Sequence, residues 1–212
     1  MEIKTLTLGE LGTNCYIVIS AAGNAAVIDP ADDAQRILDT LGKENAELKM
    51  ILLTHGHFDH TGAVADLKEQ TGAKVYIHSK DECMLDDTIK NVAYLCPGHS
   101  YKPFTADVLV SDGDIIRLDE IEFSVMHTPG HTAGSVVYFA DNCMFAGDTI
   151  FVGSAGRTDF YSGDYIAQRN SLARIAALRE DYLIYPGHGS STTLKQEKKF
   201  NQFLGQSPVD FF

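Results

Sequence analysis

Three absences from the 212-residue sequence argue against broad classes of protein. Lys and Arg number only 17 against 29 Asp and Glu, and the net charge of −12 argues against a general binder of nucleic acid or of anionic membranes. No apolar run approaches the ~18–20 residues that a membrane-spanning helix needs. The segment 1–14 contains charged residues and no continuous apolar core, so we expect no signal peptide.

Paired cysteines and linkers are also missing. The cysteines form no C-x-x-C and lie far apart, mostly among apolar neighbours: Cys15, Cys83, Cys96 and Cys143. This spacing is typical of thiols packed in a core within a reducing compartment, so we expect a cytoplasmic location. No Pro/Ser-rich or low-complexity tract divides the chain, and 44% hydrophobic residues can form one substantial core. We therefore expect a single domain over residues 1–212.

The segment 54–60, with the sequence THGHFDH, is the most informative part of the chain because it places four potential metal ligands within six residues. It follows the apolar run 49–53, which predicts a buried strand. The ligands are therefore expected where a strand ends and a loop leads into a helix. Imidazole and carboxylate groups together suit Zn, Fe or Mn.

Three more polar turns follow predicted strands. They occupy residues 127–131 (HTPGH), 147–149 (GDT) and 186–189 (PGHG). Each polar residue stands beside Gly or Pro, where the backbone can turn tightly and point a side chain into a shared cleft. Together with the segment 54–60, these turns predict one common site.

Apolar periodicity predicts strands and helices that alternate along the chain. Strands are predicted at 3–8, 15–19, 25–28, 49–53, 74–77, 115–118, 122–127, 135–140, 142–145 and 182–185. Helices are predicted at 32–41, 62–70, 80–85, 165–178 and 193–203, with a long loop over 86–104. Strands in both halves, each followed by helices, predict two packed sheets flanked by helices.

The pattern H-x-H-x-D-H at 55–60, followed in order by a His, an Asp and a His, resembles the metallo-β-lactamase superfamily over nearly the whole chain. The resemblance implies an α+β fold, the αββα sandwich of two mixed sheets flanked by helices, with a binuclear site at one edge. It implies that the first metal is bound by His55, His57 and His131. It implies that the second is bound by Asp59, His60 and His188, and that Asp148 bridges the two.

The resemblance also implies a cofactor and a reaction. The implied metal is Zn, with Fe or Mn as alternatives, and a hydroxide that bridges the metals would attack an acyl group. Asp59 and Asp148 are the implied catalytic residues. Asp59 could be a ligand alone, or could also orient the hydroxide and handle its proton.

The segments 147–151 (GDTIF), 156–159 (GRTD) and 185–189 (YPGHG) are similar to glyoxalase II-like hydrolases, in particular to the short bacterial branch that carries G-R-T-D. The substrate implied is a small-molecule thioester, S-D-lactoylglutathione, which is hydrolysed to glutathione and D-lactate. Arg157 is the implied substrate-binding residue. Full-length members carry a C-terminal helical domain with basic residues for glutathione, which we expect this chain to lack. Asp159 and Ser190 stand where that family has aromatic residues.

Two other functions remain open. A persulfide dioxygenase on the same scaffold would use one iron held by His55, His131 and Asp148. Hydrolysis of lactones or other esters would use the same groups as thioester hydrolysis. A metal-binding protein without catalysis is disfavoured, because seven ligands exceed what a structural metal needs.

Several residues outside the ligand set have two interpretations each. His78 and His99 are expected at the surface or supporting a ligand. His127 and Asp29 are expected to support ligands through hydrogen bonds, although Asp29 could equally cap a helix. The aromatic residues of the 86–104 loop could form a lid over an apolar substrate group or pin the loop to the body.

Overall fold

Strand β2 (Thr13–Ile19) shows why the chain forms layers. All seven of its residues are buried. Cys15 and Ile17 pack in a cluster with the helices, whereas Tyr16 and Val18 pack in a second cluster between two sheets. Because successive side chains of a strand point to opposite faces, such a strand lies in a sheet that is covered on both sides.

The computed structural model describes residues 1–96, 98 and 100–204. The first six-stranded sheet has the order β1–β2–β3–β4–β5–β6. Its first three strands are antiparallel neighbours, and β3 to β6 run parallel. Besides β2, its strands are β1 (Glu2–Leu8), β3 (Asn24–Ile28), β4 (Glu47–Leu52), β5 (Lys74–His78) and β6 (Val108–Val110).

The second six-stranded sheet has the order β14–β13–β10–β9–β8–β7. Neighbouring strands are antiparallel except β10 and β13, which are parallel. Its strands are β7 (Ile115–Leu118), β8 (Ile121–His127), β9 (Val136–Ala140), β10 (Cys143–Gly147), β13 (Leu183–Pro186) and β14 (Thr192–Thr193). A separate hairpin consists of β11 (Ile150–Phe151) and β12 (Ser154–Ala155).

Helices cover the outer face of each sheet. Buried residues of α1 (Ala34–Lys43) and α3 (Val64–Thr71) pack on the first sheet, and those of α4 (Tyr165–Ala176) and α5 (Leu194–Phe200) pack on the second. Each fully buried Leu or Ile side chain stabilises this packing by about 1.5–3 kcal/mol. The short helix α2 (Phe58–Thr61) lies at the edge where the predicted ligands gather.

The fold class is confirmed, since two mixed sheets are packed together and flanked by helices. The predicted start of the helix 62–70 is wrong, because α2 ends at Thr61 and α3 begins only at Val64. Between the two helices, the Ala63 N–H donates to the Pro30 carbonyl. The predicted helix 80–85 contains only one 3-10 turn, Glu82–Met84. Strands β6, β11, β12 and β14 were not predicted, because two or three residues are too few to show a period.

The 86–104 loop is pinned to the body by two of its aromatic residues. Phe104 is buried in the cluster under α1 and α3, and the Tyr101 hydroxyl donates to the Leu85 carbonyl at 3.2 Å. Tyr94 is 55% exposed. His99, which was expected at the surface or beside a ligand, lies outside the described residues. No helix in the described part of the chain is long and apolar enough to cross a membrane.

Strand direction brings the predicted ligand turns together. The carboxyl ends of β3 and β4 lie side by side in the first sheet, and those of β8, β10 and β13 point the same way in the second. Backbone hydrogen bonds join the sheets there: the Asn14 N–H donates to Gly187 at 2.7 Å and the Val136 N–H donates to Thr54 at 2.8 Å. The five strand ends therefore meet at one edge of the sandwich.

Candidate metal centre

The turns after β4 and β8 form a cluster of three histidines. Ring nitrogens of His55, His57 and His131 lie within 4.8 Å of one another, and all three residues are buried. The closest pair is His57 Nδ1 and His131 Nε2, which are 2.9 Å apart. Three imidazoles that converge in this way form a donor set suited to a transition metal.

Hydrogen bonds orient two of these rings so that Nε2 has a free lone pair. His131 Nδ1 lies 2.7 Å from the Arg157 carbonyl oxygen, which can only accept, so the proton is on Nδ1. His55 Nδ1 lies 3.0 Å from Thr54 Oγ1, and that hydroxyl donates its proton to Asp29 at 2.6 Å. His55 therefore donates from Nδ1, and its Nε2 is unprotonated.

A second cluster lies beside the first. It contains Asp59 and His60 of α2 together with His188, which follows β13. His188 Nε2 is 3.3 Å from Asp59 Oδ2, and His60 Nε2 is 3.6 Å from the same oxygen. One carboxylate and two imidazoles thus form a second donor set.

Asp148, at the end of β10, lies between the two clusters. Its Oδ1 is 3.3 Å from His60 Nε2 in the second cluster. Its Oδ2 is 3.5 Å from His131 Nε2 in the first cluster and 3.7 Å from His188 Nε2 in the second. Asp148 therefore faces both donor sets, as a bridging carboxylate would.

Unsatisfied buried atoms provide a test of whether metal ions fit here. In the part of the chain that the structure describes, four atoms of the two clusters are buried and have no hydrogen-bond partner: His55 Nε2, His57 Nε2, His60 Nε2 and Asp148 Oδ1. A buried polar atom without a partner costs about 1–3 kcal/mol, so such atoms rarely cluster without a ligand. Cations bound to both donor sets would satisfy the atoms of His55, His60 and Asp148, whereas His57 faces the first donor set with Nδ1.

The protonation states of the first cluster suit a metal. Burial lowers the pKa of His55 well below its ordinary value, and the neighbouring histidines lower it further. Burial and the adjacent His131 bring the pKa of His57 to about 3. His55 and His57 are therefore neutral near pH 7, as metal-binding imidazoles must be.

The carboxylates of the second cluster are ionised. Burial raises the pKa of Asp59, but the positive charge of His60 and the hydrogen bond from His188 outweigh it and bring the pKa to about 2. The pKa of Asp148 is lowered in the same way, since His60 outweighs the effect of burial. Conversely, burial lowers the pKa of His60, but Asp148, Asp59 and Asp29 raise it well above its ordinary value. The carboxylates thus concentrate negative charge where a cation would bind, and a bound cation would displace the proton from His60 Nε2.

Comparison with known families identifies the superfamily to which this fold belongs. The family model described as "Metallo-beta-lactamase superfamily" matches residues 8–188, a range that includes all seven clustered residues. The chain belongs to the metallo-beta-lactamase superfamily.

Relatives within the superfamily differ in their named activities. The hydroxyacylglutathione hydrolase GloC of Haemophilus influenzae is 34% identical and is matched over 96% of this chain and 98% of its own length. Among solved structures, BLEG-1, named as a B3 metallo-beta-lactamase, has a TM-score of 0.91 at 35% identity, covering 97% of this chain and 100% of its own. The structure of TTHA1623 in a di-iron-bound form has a TM-score of 0.85 at 35% identity, and the match covers 95% of this chain and 100% of TTHA1623. ETHE1 from Myxococcus xanthus has a TM-score of 0.81 at 30% identity, and the match covers 98% of this chain and 86% of ETHE1.

Asp29 lies beside the clustered residues and holds Thr54 and His60 in place through hydrogen bonds. Its carboxylate accepts from the Thr54 N–H at 2.8 Å and lies 2.9 Å from His60 Nδ1. His60 therefore presents Nε2 to the carboxylates of the site. The helix-cap alternative for Asp29 is wrong, because the side chain that accepts from the first turn of α1 is Asp33.

Asp81 is a supporting residue that the sequence analysis missed. It is fully buried after β5, and it accepts from the Gly56 N–H at 3.1 Å, the Gly134 N–H at 2.6 Å and Thr132 Oγ1 at 2.6 Å. Gly56 lies between two histidines of the first cluster, and Thr132 follows the third. Asp81 thus joins the two loops that carry the first cluster. The signal that could have found it is a polar residue just after a strand end.

Position 187 requires glycine, because the side chains of Asp148 and His60 lie too close to its backbone for a Cβ atom. A Cβ atom added to Gly187 would lie 2.2 Å from Asp148 Oδ1 and 2.6 Å from His60 Cε1. Both distances are far below van der Waals contact, so a side chain here would displace the carboxylate or the imidazole.

Arg157 reaches the site in two ways. Its backbone carbonyl holds His131, as described above. Its guanidinium forms two hydrogen bonds to Asp159, at 2.6 and 2.7 Å, and lies 4.0 Å from the centre of the Phe160 ring. Phe160 in turn packs edge-on against His57, with ring centres 6.0 Å apart. The guanidinium is therefore near the first cluster, on an exposed surface, and its role as a substrate-binding group stays a prediction.

The two remaining described histidines stack on each other and are outside the ligand clusters. The rings of His78 and His127 are parallel, with centres 4.1 Å apart. Burial and the neighbouring His127 lower the pKa of His78 to about 4. His127 Nε2 lies 2.9 Å from the Ala133 carbonyl oxygen. His127 thus supports the loop that follows His131 rather than the ligand itself.

Proposed function

We propose that the chain is a metal-dependent thioester hydrolase that converts S-D-lactoylglutathione and water to D-lactate and glutathione. The observation that carries the proposal is the convergence of seven His and Asp side chains, four of which have buried atoms without partners. The likeness to GloC over nearly its full length supports the thioester substrate, as does the GRTD segment. We also propose that residues 1–212 act as one domain in the cytoplasm on a small molecule rather than on nucleic acid or membrane.

Zinc is the proposed metal, and the di-iron form of TTHA1623 supports iron as the alternative. His55, His57 and His131 would hold the first ion. Asp59, His60 and His188 would hold the second, with Asp148 between them. Two ions bound there would make a water molecule more acidic and polarise the thioester carbonyl.

The chain's own residues orient and protonate the reactants. Asp59 Oδ2 accepts a hydrogen bond from Thr13 Oγ1 at 3.1 Å, which fixes the carboxylate at the mouth of the site. From there Asp59 orients the attacking water, accepts its proton and returns a proton to the departing thiolate. Arg157 lies beside the first cluster, where its guanidinium would attract a carboxylate of glutathione.

A persulfide dioxygenase is the second candidate, supported by the likeness to ETHE1 from Myxococcus xanthus. Such an enzyme would use His55, His131 and Asp148 alone, so His57 and His188 would be dispensable. Oxygen uptake in the presence of glutathione persulfide distinguishes this reaction from hydrolysis. The likeness to BLEG-1 supports testing a β-lactam as a third substrate. A lactone is a fourth, because its hydrolysis would use the same groups as thioester hydrolysis.

The test compares the metal-loaded protein with two variants. Asp59→Asn should reduce hydrolysis of S-D-lactoylglutathione at least 100-fold, in keeping with the usual ~10²–10⁴-fold contribution of a general base. Asp39→Asn, the same change on the exposed face of α1, should leave the rate as it is. Undiminished hydrolysis by Asp59→Asn would remove Asp59 from the mechanism, and oxygen uptake without hydrolysis would favour the dioxygenase.

A further inference from the structure

His188 differs from three other histidines of the clusters in how its ring is held. Each of those three is buried and has a hydrogen-bond partner at Nδ1: His55, His60 and His131. The side chain of His188 is 29% exposed, and no residue in the described part of the chain forms such a bond with its Nδ1. The place of its ring in the second cluster therefore depends on the backbone of its turn.

That backbone is flexible by its own sequence. His188 lies between Gly187 and Gly189, and strand β13 ends before it, at Pro186. Glycine loses more conformational freedom on folding than any other residue, and Gly189 has a φ of 77°, in the left-handed region. Contacts from outside the turn must therefore fix where it places His188.

Asn14, near the start of β2, makes such contacts on both sides of His188. Its side-chain NH2 group donates to the Pro186 carbonyl at 3.1 Å and to the Gly189 carbonyl at 2.8 Å. Its backbone N–H donates to the Gly187 carbonyl at 2.7 Å. Three of the backbone carbonyls around His188 are thus bound by one residue of the other sheet.

The orientation of the Asn14 amide follows from its partners. The two carbonyls can only accept, so the NH2 group must face them, and both of its hydrogens are used. Thr7 Oγ1 donates to Asn14 Oδ1 at 3.2 Å, which fits the same orientation. An Asp side chain has the same shape but no NH2 group, so its carboxylate would repel both carbonyl oxygens.

Thr13, the preceding residue, contacts the other partly exposed member of the second cluster. Its Oγ1 donates to Asp59 Oδ2 at 3.1 Å, and its backbone forms an isolated bridge with His188. Strand β2 is paired with β1 on one side and with β3 on the other, and all of its residues are buried. The second cluster is therefore held by the start of a firmly anchored strand.

We propose that Asn14 is a positioning residue that sets the affinity for the second metal ion by fixing the turn that carries His188. This role rests on the second metal site of the proposed function and is independent of the thioester substrate. Without the NH2 group the turn can take up other conformations, so His188 Nε2 is no longer held beside Asp59 and Asp148.

The test is a double-mutant cycle on zinc affinity, measured by competition with a chromophoric chelator. Asn14→Ala should weaken the second ion about 10–100-fold, the usual cost of losing a group that orients a metal ligand. His188→Ala removes the imidazole itself. In that background Asn14→Ala should change the affinity for the zinc that still binds by less than about threefold, because Asn14 acts through His188. Asn170→Ala, on the exposed face of α4, is the matched control and should leave every zinc affinity as it is.

Cadmium NMR shows which of the two ions is affected. Each bound cadmium ion gives its own resonance, and the one that His188→Ala shifts or removes belongs to the second site. Asn14→Ala should change that resonance and leave the other in place. A loss of stability alone would move neither.

Asn14→Asp is a second variant in which charge and position have opposite effects. Its negative charge would by itself strengthen the binding of a cation, so weaker zinc binding in this variant must come from the lost NH2 contacts. Zinc bound as tightly as by the wild type in either variant, or an equal loss with and without His188, overturns the role of Asn14 while the metal site stands. A wild-type protein that binds fewer than two zinc ions overturns the second metal site and the role of Asn14 with it.

Discussion

The buried carboxylate of Asp81 provides a sharp test of how the first donor set is held in place. Its Oδ2 accepts from the Gly56 N–H and Thr132 Oγ1, and its Oδ1 accepts from the Gly134 N–H. Asp81→Asn exchanges one of these oxygens for an NH2 group. The amide oxygen can serve the two donors on one side, but the NH2 group then faces the Gly134 N–H, whose present acceptor is only 2.6 Å away. Two donors at that distance repel, so the loop beside His131 must move.

The size of the effect follows from the bonds lost. Burial raises the pKa of Asp81, so the ionised carboxylate bears a desolvation cost that a neutral Asn avoids. We therefore expect Asp81→Asn to lower the free energy of unfolding by about 1–3 kcal/mol, the cost of one unsatisfied buried donor. Asp81→Ala leaves three donors unsatisfied and should cost roughly 3 kcal/mol or more. For a chain of this size each kcal/mol lowers Tm by about 2–4 °C.

Metal affinity distinguishes a positioning role from a purely structural one. Loss of a group that orients metal ligands costs about 10–100-fold in affinity. Zinc affinity of Asp81→Asn is measured by competition with a chromophoric chelator, alongside its Tm. Asp114→Asn is the control, because that exposed carboxylate also accepts a backbone N–H, from Ser111 at 2.8 Å, but lies in a turn before β7. If Asp81→Asn loses stability yet binds both zinc ions with unchanged affinity, the positioning argument is refuted.

Three further outcomes follow from the same structure. Gly187→Ala should displace Asp148 or His60 and so reduce the bound metal to one ion or fewer per chain, while the secondary structure stays unchanged. If mass spectrometry finds two ions per chain in this variant, a side chain at position 187 does not disturb the site. Asp29→Ala removes the acceptor for His60 Nδ1 and should weaken the second zinc about 10–100-fold in chelator titrations, more than the first. Arg157→Ala should chiefly raise KM for an anionic thioester, while Asp159→Asn, which frees the guanidinium, should lower it; a KM that neither variant changes would leave Arg157 with only its backbone contact to His131.

The ligand turns could be predicted because each is local. A strand, a tight turn and a polar side chain occur within a few residues, so a pattern such as 54–60 predicts both the strand end and the ligands. The alternation of β2 between two buried faces is also contained in its own residues. The direction of each strand then places the turns at one edge, which is why the fold and the clustered residues agree with the sequence analysis.

The supporting contacts could not be predicted, because they join distant parts of the chain. Asp81 holds Gly56, 25 residues before it, and Gly134, 53 residues after it. Nothing in the local sequence specifies either partner. Asp29 precedes a proline, and the local sequence is the same whether its side chain caps a helix or forms a hydrogen bond to a metal ligand.

The central claim is that the seven clustered residues bind two metal ions that hydrolyse a thioester. The most direct measurement is the rate of S-D-lactoylglutathione hydrolysis by freshly purified protein, with metal content determined on the same sample. We expect rapid turnover that rises with metal content to two ions per chain and is lost on chelation. A protein that carries two ions per chain and hydrolyses neither this nor any other thioester would contradict it.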